Sequence, residues 1–414
     1  MSRPLAAFRG TGIELEYMIV DAETLSVRPV ADELIRAEAG AYANDAPRGD
    51  FGWSNELALH LVELKNNAPS PRLERLAAGF QAEVGAVNAR LAPLGARLMP
   101  TAMHPWMDPR REARLWPHQY AEIYSTYDRI FDCRRHGWAN LQSMHVNLPF
   151  AGDAELERLL GAVRVVLPVL PALAASSPIA GGEVTGWADF RMQCYLTHAA
   201  RVPAMMGSVI PEAVAGEAEY RARILEPMYR AIAPLDPAEV MRDEWLNARG
   251  AIARFDRSAV EIRVIDTQEC PRADLAVAAA TVAATRACYE GRWSTLAEQR
   301  HFPAKRLLNV LGACIRDAER AVIDDADYLR LLGYPAARAS AAELWWHLLQ
   351  ETLPHAGRAA APWREPLELI LTQGPLARRI LNAVGRQPSR AHLEAVYRGL
   401  CECLAQDWLF RDVG

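Results

Sequence analysis

Four stretches of the chain alternate apolar and polar residues with a period of two, the pattern of half-buried β-strands. In the first, Gly12 to Asp21, the residues Ile13, Leu15, Tyr17 and Ile19 fall on one face, and Glu14 and Glu16 on the other. In the second, Ser54 to Lys65, Leu57, Leu59 and Leu61 alternate with smaller or polar residues, and Glu56 and Glu63 stand seven positions apart. An odd separation puts two side chains on opposite faces of one unbroken strand, so both glutamates reach one face only if a bulge or turn intervenes. The third stretch, 141–150, sets His145 and Asn147 against Met144, Val146 and Leu148. The fourth, 259–266, sets Glu261 and Arg263 against Val260, Ile262 and Val264.

Between these strands the spacing becomes helical or irregular. A short helix is predicted over 32–39 and a polar, Gly/Pro-containing loop over 44–53. Ser70-Pro71 reads as an N-cap followed by proline at the first helical position, opening a helix to about Leu94. A helical segment around 119–131 precedes the third strand, and Asp153 is expected to cap a helix running to about Leu167. Prolines at 203, 211, 227, 234 and 237 break the region 202–249 into loop and helix. From Arg272 onward helical spacing persists, with segments near 273–289, 304–321, 341–353, 376–384 and 389–404. No internal repeat is visible. The pattern predicts an α+β fold, with a strand-bearing domain over 1–289 and a helical region over 290–414.

Composition narrows the class. A chain of 414 residues, 51% hydrophobic, buries a sizeable core. Its net charge of -5 offers no footprint for nucleic acid or an anionic membrane. Seven cysteines, at 133, 194, 270, 288, 314, 401 and 403, form no Cys-x-x-Cys pair, which argues against a disulfide framework or a thiolate zinc site. No targeting segment opens the chain and no apolar stretch is long enough to span a bilayer, so the cytoplasm is the expected location.

The chemistry lies on the polar faces of the strands. Two carboxylates side by side, Glu14 and Glu16, repel and ask for a cation, and a hard one such as magnesium prefers oxygen ligands. The same dipeptide pattern on an exposed face is simply solvated. His145 fits a metal ligand or a hydrogen-bonded core residue, and Glu261 with Arg263 fits a site or a plain ion pair. Arg191, in Asp189-Phe190-Arg191, suits a bidentate clamp on a carboxylate or phosphate, or a structural ion pair.

Taken together, the Gly-Ile-Glu-Leu-Glu opening, Glu56 and Glu63, the His145-Val146-Asn147 strand, Ala175-Ser176-Ser177-Pro178, Asp189-Phe190-Arg191 and Val260-Glu261-Ile262-Arg263 resemble the family-2 glutamate–cysteine ligases. The resemblance runs from about Gly12 to Asp266. It implies the mostly antiparallel curved sheet of glutamine synthetase and guanidino kinases, with helices packed on the outer face. It also implies an ATP-dependent carboxylate–amine ligase working through an acyl phosphate with two or three magnesium (or manganese) ions. By the same resemblance, Glu16, Glu56 and Glu63 hold an ion on the substrate side, and Glu14, His145 and Glu261 another among the ATP phosphates. Arg263 contacts the transferred phosphoryl group, and Arg191 with Tyr195 is expected to hold a substrate carboxylate. Five glutamates converging without metal repel, so the empty site is expected to be partly protonated or disordered.

This sequence departs from the family at Leu64-Lys65-Asn66-Asn67 and at Leu148-Pro149-Phe150, beside the expected acceptor pocket, so glutamate with cysteine is one candidate pair among amino-acid-like carboxylates and amines. The other readings are a guanidino-kinase-like phosphotransferase and a silent nucleotide-binding homologue. The region 290–414 lies outside the resemblance, with capping of the site, self-association or partner binding as its candidate roles.

Overall fold

The computed structural model describes residues 4–411. All four alternating stretches enter one 8-stranded sheet. Its strands are β1 (Gly12–Asp21), β2 (Asp45–Arg48), β3 (Phe51–Asn55), β4 (Leu61–Asn66), β5 (Ala96–Met99), β6 (Ser143–Pro149), β7 (Ala251–Arg254) and β8 (Ala259–Asp266). The spatial order is β2-β3-β4-β1-β6-β8-β7, with β5 pairing the far half of β1, and every pairing is antiparallel.

Register decides what the sheet can do. Residues directly opposite each other in an antiparallel pair point to the same face. Glu14 lies opposite Lys65 on β4 and His145 on β6, Glu16 lies opposite Glu63, and Glu261 lies opposite Asn147. The polar residues of four strands therefore collect on one side. On the other side Ile13, Leu15, Tyr17, Val62, Leu64, Met144, Val146, Val260 and Ile262 join one buried cluster. That cluster includes Phe80 and Val84 of helix α2 (Leu76–Leu91), Leu159 and Val163 of α4 (Asp153–Val166), and Leu275 of α6 (Pro271–Tyr289). Helix α1 (Ala31–Ala39) precedes these in the chain, and α3 (Ala121–Phe131) and α5 (Phe190–Tyr195) lie between them.

Four local expectations change. The predicted loop 44–53 is largely a hairpin, β2 and β3, turning at Gly49 with φ of 64°. Its signal was masked by Pro47, which an edge strand tolerates. The single strand expected over 54–65 is two, β3 and β4, separated by residues 56–60, so the odd spacing of Glu56 and Glu63 is absorbed by a turn. Helix α2 begins later than Ser70-Pro71 implies: the Ser70 hydroxyl accepts from the Arg72 amide at 3.2 Å, and a single 3-10 turn over Leu73–Arg75 precedes the helix. Asp153 begins α4 without capping it; Gly152 is the N-cap, and the Asp153 carboxylate accepts from the Glu217 amide at 2.9 Å.

The C-terminal helices are built into the same body. Leu307 and Leu311 of α7 (Ala304–Asp317) and Leu344 and Trp345 of α8 (Ala341–Thr352) belong to the cluster that holds β1. Ile380 of α9 (Leu376–Val384) and Leu393, Tyr397 and Leu400 of α10 (Arg390–Gln406) pack with Met18 and Val20 of β1 and Met99 of β5. A fully buried ion pair pins α9: Arg379 Nη1 lies 2.5 Å from Glu269 Oε1 and donates to the Phe410 carbonyl at 2.5 Å. No helix among the described residues is long and apolar enough to cross a membrane.

Removing one partner of a buried pair leaves the other charge uncompensated, at a cost of roughly 3–5 kcal/mol. Arg379→Ala is therefore expected to lower stability by about that amount in a urea titration, within one transition shared by strands and C-terminal helices. An unshifted midpoint would contradict the packing of α9.

Candidate active site

The polar face of the sheet floors a cleft of about 720 Å³. Glu16 Oε2 accepts from the Ser143 amide at 2.7 Å and from its hydroxyl at 3.1 Å. Glu14 Oε2 meets His145 Nδ1 at 3.0 Å, while its Oε1 accepts from Arg257 at 3.1 Å and from Asn147 at 3.2 Å. Glu63 Oε1 accepts from the Ser54 hydroxyl at 2.6 Å, with Lys65 Nζ 3.6 Å away. Glu56, delivered by the turn after β3, has no ion-pair partner among the described residues.

These groups converge in two sets. One ligand atom each from Glu16, Glu56 and Glu63 lies within 4.8 Å of the others, and the same holds for Glu14, Glu63 and His145. The first set is the trio singled out in the sequence. The second differs: Glu63 serves both sets, and Glu261 stands outside, because it is engaged elsewhere. Its Oε1 pairs with Arg263, whose Nε is 3.1 Å away, and its Oε2 lies 3.3 Å from Arg254 Nη1. It still comes within 3.9 Å of His145 Nδ1. Carboxylate oxygens with one imidazole, and one carboxylate without a basic partner, are the donor set of a hard divalent cation.

Arg191 and Tyr195 sit on α5, which Asp189 caps by accepting from the Met192 amide at 2.8 Å. Arg191 is not free for a bidentate clamp. Its Nε is held by Asp266 Oδ1 at 2.5 Å, a buried structural ion pair, and only Nη2 has no hydrogen-bond partner among the described residues. The buried Tyr195 hydroxyl lines the same cleft and stands beside the Arg263 guanidinium.

Sequence reasoning missed two features of the cleft. Arg254 and Arg257 come from the β7–β8 hairpin, beside Glu261 and Glu14. The short apolar run 251–253, separated from the fourth alternating stretch by a few mostly polar residues, is the one signal for this hairpin. Tyr124, Tyr127, Trp138 and Trp245 wall the cleft from α3 and from irregular segments, where no periodicity marks them.

Electrostatics reflect the crowding. Burial and the neighbouring Glu16, Glu63 and Glu14 push the Glu56 carboxyl well above the usual range. Burial and Glu14 push Glu63 up to about 7, against the opposing pull of Lys65 and Ser54. For His145, burial favours the neutral ring, but Glu14, Glu16 and Glu261 win and raise it to about 9. Glu14 is raised by burial yet held well below the carboxylate range by His145, Arg257 and Lys65. Burial also opposes ionisation of Glu261, and Arg263 outweighs it.

An acid raised above its ordinary value of 4.5 stabilises the fold below that pH, and the contribution is lost as pH rises through 7 for Glu63. The raised imidazole contributes fully below 6.5 and loses its contribution through about 9. Glu14 and Glu261, being lowered, lose theirs only on acidification below 4.5. In chelator, the melting temperature is therefore expected to fall between about pH 5.5 and pH 9, and Glu63→Gln should flatten the lower part of that slope. A melting temperature that rises over this window would contradict the site's electrostatics.

Comparison with known proteins places this geometry. A family model described as glutamate-cysteine ligase family 2 matches residues 11–399, and so extends through the C-terminal helices. An uncharacterized protein of Archaeoglobus fulgidus is 29% identical over 399 residues, covering 96% of this chain and 99% of its own. A Leifsonia xyli protein named "Putative glutamate--cysteine ligase 2" is 29% identical over 187 residues, 44% of this chain and 45% of that protein, so this match spans under half of that relative. The solved structure of glutamate–cysteine ligase from Francisella tularensis, in complex with AMP, shares the fold with a TM-score of 0.55 at 13% identity, over 96% of this chain and 89% of that one. With the family model spanning the sheet, the cleft and most of the helical region, the chain belongs to glutamate–cysteine ligase family 2.

Proposed function

We propose that the protein is an ATP- and magnesium-dependent carboxylate–amine ligase, with manganese able to replace magnesium, that forms an amide through an acyl phosphate. The observation that carries this reading is the pair of ligand sets sharing Glu63 on one sheet face, with Arg254, Arg257 and Arg263 beside them. Glu16, Glu56 and Glu63 would hold one ion. Glu14, His145 and Glu63 would hold a second, with Glu261 near enough to His145 to reach it. Bound ions there neutralise phosphate oxygens and fix the triphosphate.

The chain's own residues do the rest. A substrate carboxylate oxygen attacks the γ-phosphorus, the bond from that phosphorus to the ADP oxygen breaks, and an acyl phosphate and ADP result. The amine nitrogen then attacks the acyl carbon, the carbon–oxygen bond to phosphate breaks, and amide, phosphate and one proton leave. The first step needs no protein base, because the carboxylate is already ionised; positioning and charge neutralisation carry the rate. Glu261 holds the Arg263 guanidinium at the site, where it meets negative charge spreading over the phosphoryl oxygens. Arg254 and Arg257 are placed for the remaining phosphates. The γ-carboxylate of glutamate is one candidate for the activated group.

ADP release is expected only when a carboxylate and an amine are both present; release with a guanidino compound alone would favour a kinase. Glu16→Gln and Glu56→Gln should each lower turnover by roughly 10²-fold or more with circular dichroism unchanged. Arg263→Lys, which keeps the charge but loses the planar fork, should act on kcat more than on KM. Turnover within a few-fold of the unaltered protein in all three would sink the site assignment.

A further inference from the structure

The two ends of the cleft differ in chemistry. Along β1, the Gly12 end faces the β7–β8 hairpin: Glu14 carries Arg257, and Glu261 carries Arg254. At the Met18 end, Leu61 on β4 stands opposite Met18, and Glu56 follows β3 at that level. The aromatic wall runs from this end, at Tyr124, to Trp245, whose segment packs beside the β7–β8 hairpin. Tyr124 donates nothing to the glutamates; its hydroxyl accepts from Asn55 Nδ2 at 2.9 Å, beside Glu56. Tyr127 packs on Trp138, with ring centroids 5.1 Å apart, and on Trp245 at 5.7 Å. Leu57, Ile123 and Leu141 complete an apolar surface that the cleft leaves uncovered.

One buried polar atom at the cleft wall has no partner among the described residues, Arg191 Nη2, on a residue 1% exposed, and the Tyr195 hydroxyl, on a residue 8% exposed, stands beside the Arg263 guanidinium. A buried guanidinium nitrogen unpaired at a cleft wall is a donor awaiting an anion, and the Tyr195 hydroxyl, even when it accepts from Arg263, still has its own proton to donate to that anion. In the proposed reaction the triphosphate lies on Arg254 and Arg257, and the apolar aromatic surface, which offers it no charge, is left for the other substrates. The geometry points to an amine substrate that is an aromatic α-amino acid, its ring against Tyr124, Tyr127 and Trp245 and its carboxylate on Arg191 Nη2 and Tyr195. With its one carboxylate engaged by these donors, such a molecule has only its amine free to react, so it is the acceptor and not the activated acid. A cysteine side chain leaves the wall unfilled, and each missing methylene in an apolar pocket costs roughly 10- to 200-fold in discrimination. This inference rests on the ligase reading for the role of the bound molecule.

The test is calorimetric binding to the full chain, with and without magnesium and a non-hydrolysable ATP analogue. L-phenylalanine and L-tryptophan are expected to bind at least about tenfold tighter than L-cysteine or L-alanine. Phenethylamine, which lacks the carboxylate, should bind about tenfold weaker than phenylalanine. Trp245→Ala should weaken phenylalanine by a similar factor, and the ligand series on the unaltered protein decides the matter if that variant does not fold. Cysteine or glutamate binding as tightly as phenylalanine, or adenosine displacing phenylalanine, would overturn the inference. Binding of the ATP analogue that does not depend on magnesium would instead count against the ligase reading, while the amino-acid preference is still read directly.

Discussion

Mutual repulsion of carboxylates is the constraint around which this molecule is arranged. Glu14, Glu16, Glu56, Glu63 and Glu261 all line one cleft, over a sheet whose other face is dry. Alternation along β1 supplies two of them, and antiparallel register places Glu63 and His145 directly opposite those two. The protein offsets part of the repulsion itself, with Lys65, Arg254, Arg257 and Arg263 as counter-charges and Ser54 and Ser143 as donors. Glu56 receives none of these, and burial together with Glu16, Glu63 and Glu14 pushes its carboxyl well above the usual range, against one opposing hydrogen bond from the Leu57 backbone. Glu56 and Glu63 are thus left with repulsion that the protein does not neutralise, which is the charge that the proposed cations would supply.

Holding such a face in place requires rigidity behind and beside it. Behind lies the continuous apolar cluster shared by β1, β4, β6 and β8 with the helices. Beside it, the register of β8 shifts between Ile262 and Ile265, a bulge that re-aims Arg263, whose amide bonds the Gly250 carbonyl at 3.0 Å. At the end of β8, Asp266 gathers the Ser176 amide, the Ser177 hydroxyl and Arg191, tying α5 to the sheet. The polar pairs that position the cleft are thus themselves buried and hydrogen-bonded, which fixes their geometry before any substrate arrives.

Much of this was legible in the sequence because period-two alternation reports directly on which face a strand residue occupies. The strands bearing Glu14, Glu16, His145 and Glu261 were readable for that reason, and the family resemblance supplied their grouping. Other features leave no such trace. The odd spacing of Glu56 and Glu63 showed that a turn was needed but not that it lay at 56–60. Asp266, which takes up Arg191, is 75 residues away, a distance no local pattern spans. The sharing of Glu63 between two ligand sets depends on side-chain reach across strands. The aromatic wall comes from α3 and irregular segments, where hydrophobic residues look like ordinary core until the cleft beside them is seen.

The central claim is that one carboxylate, Glu63, serves two adjacent cation sites. Manganese binding followed by electron paramagnetic resonance, with a non-hydrolysable ATP analogue present, addresses it directly. Two bound ions per chain are expected, with both weakened together by Glu63→Gln, whereas Glu56→Gln should weaken only one. A single ion per chain, or loss of one ion alone on replacing Glu63, would contradict the shared-ligand arrangement.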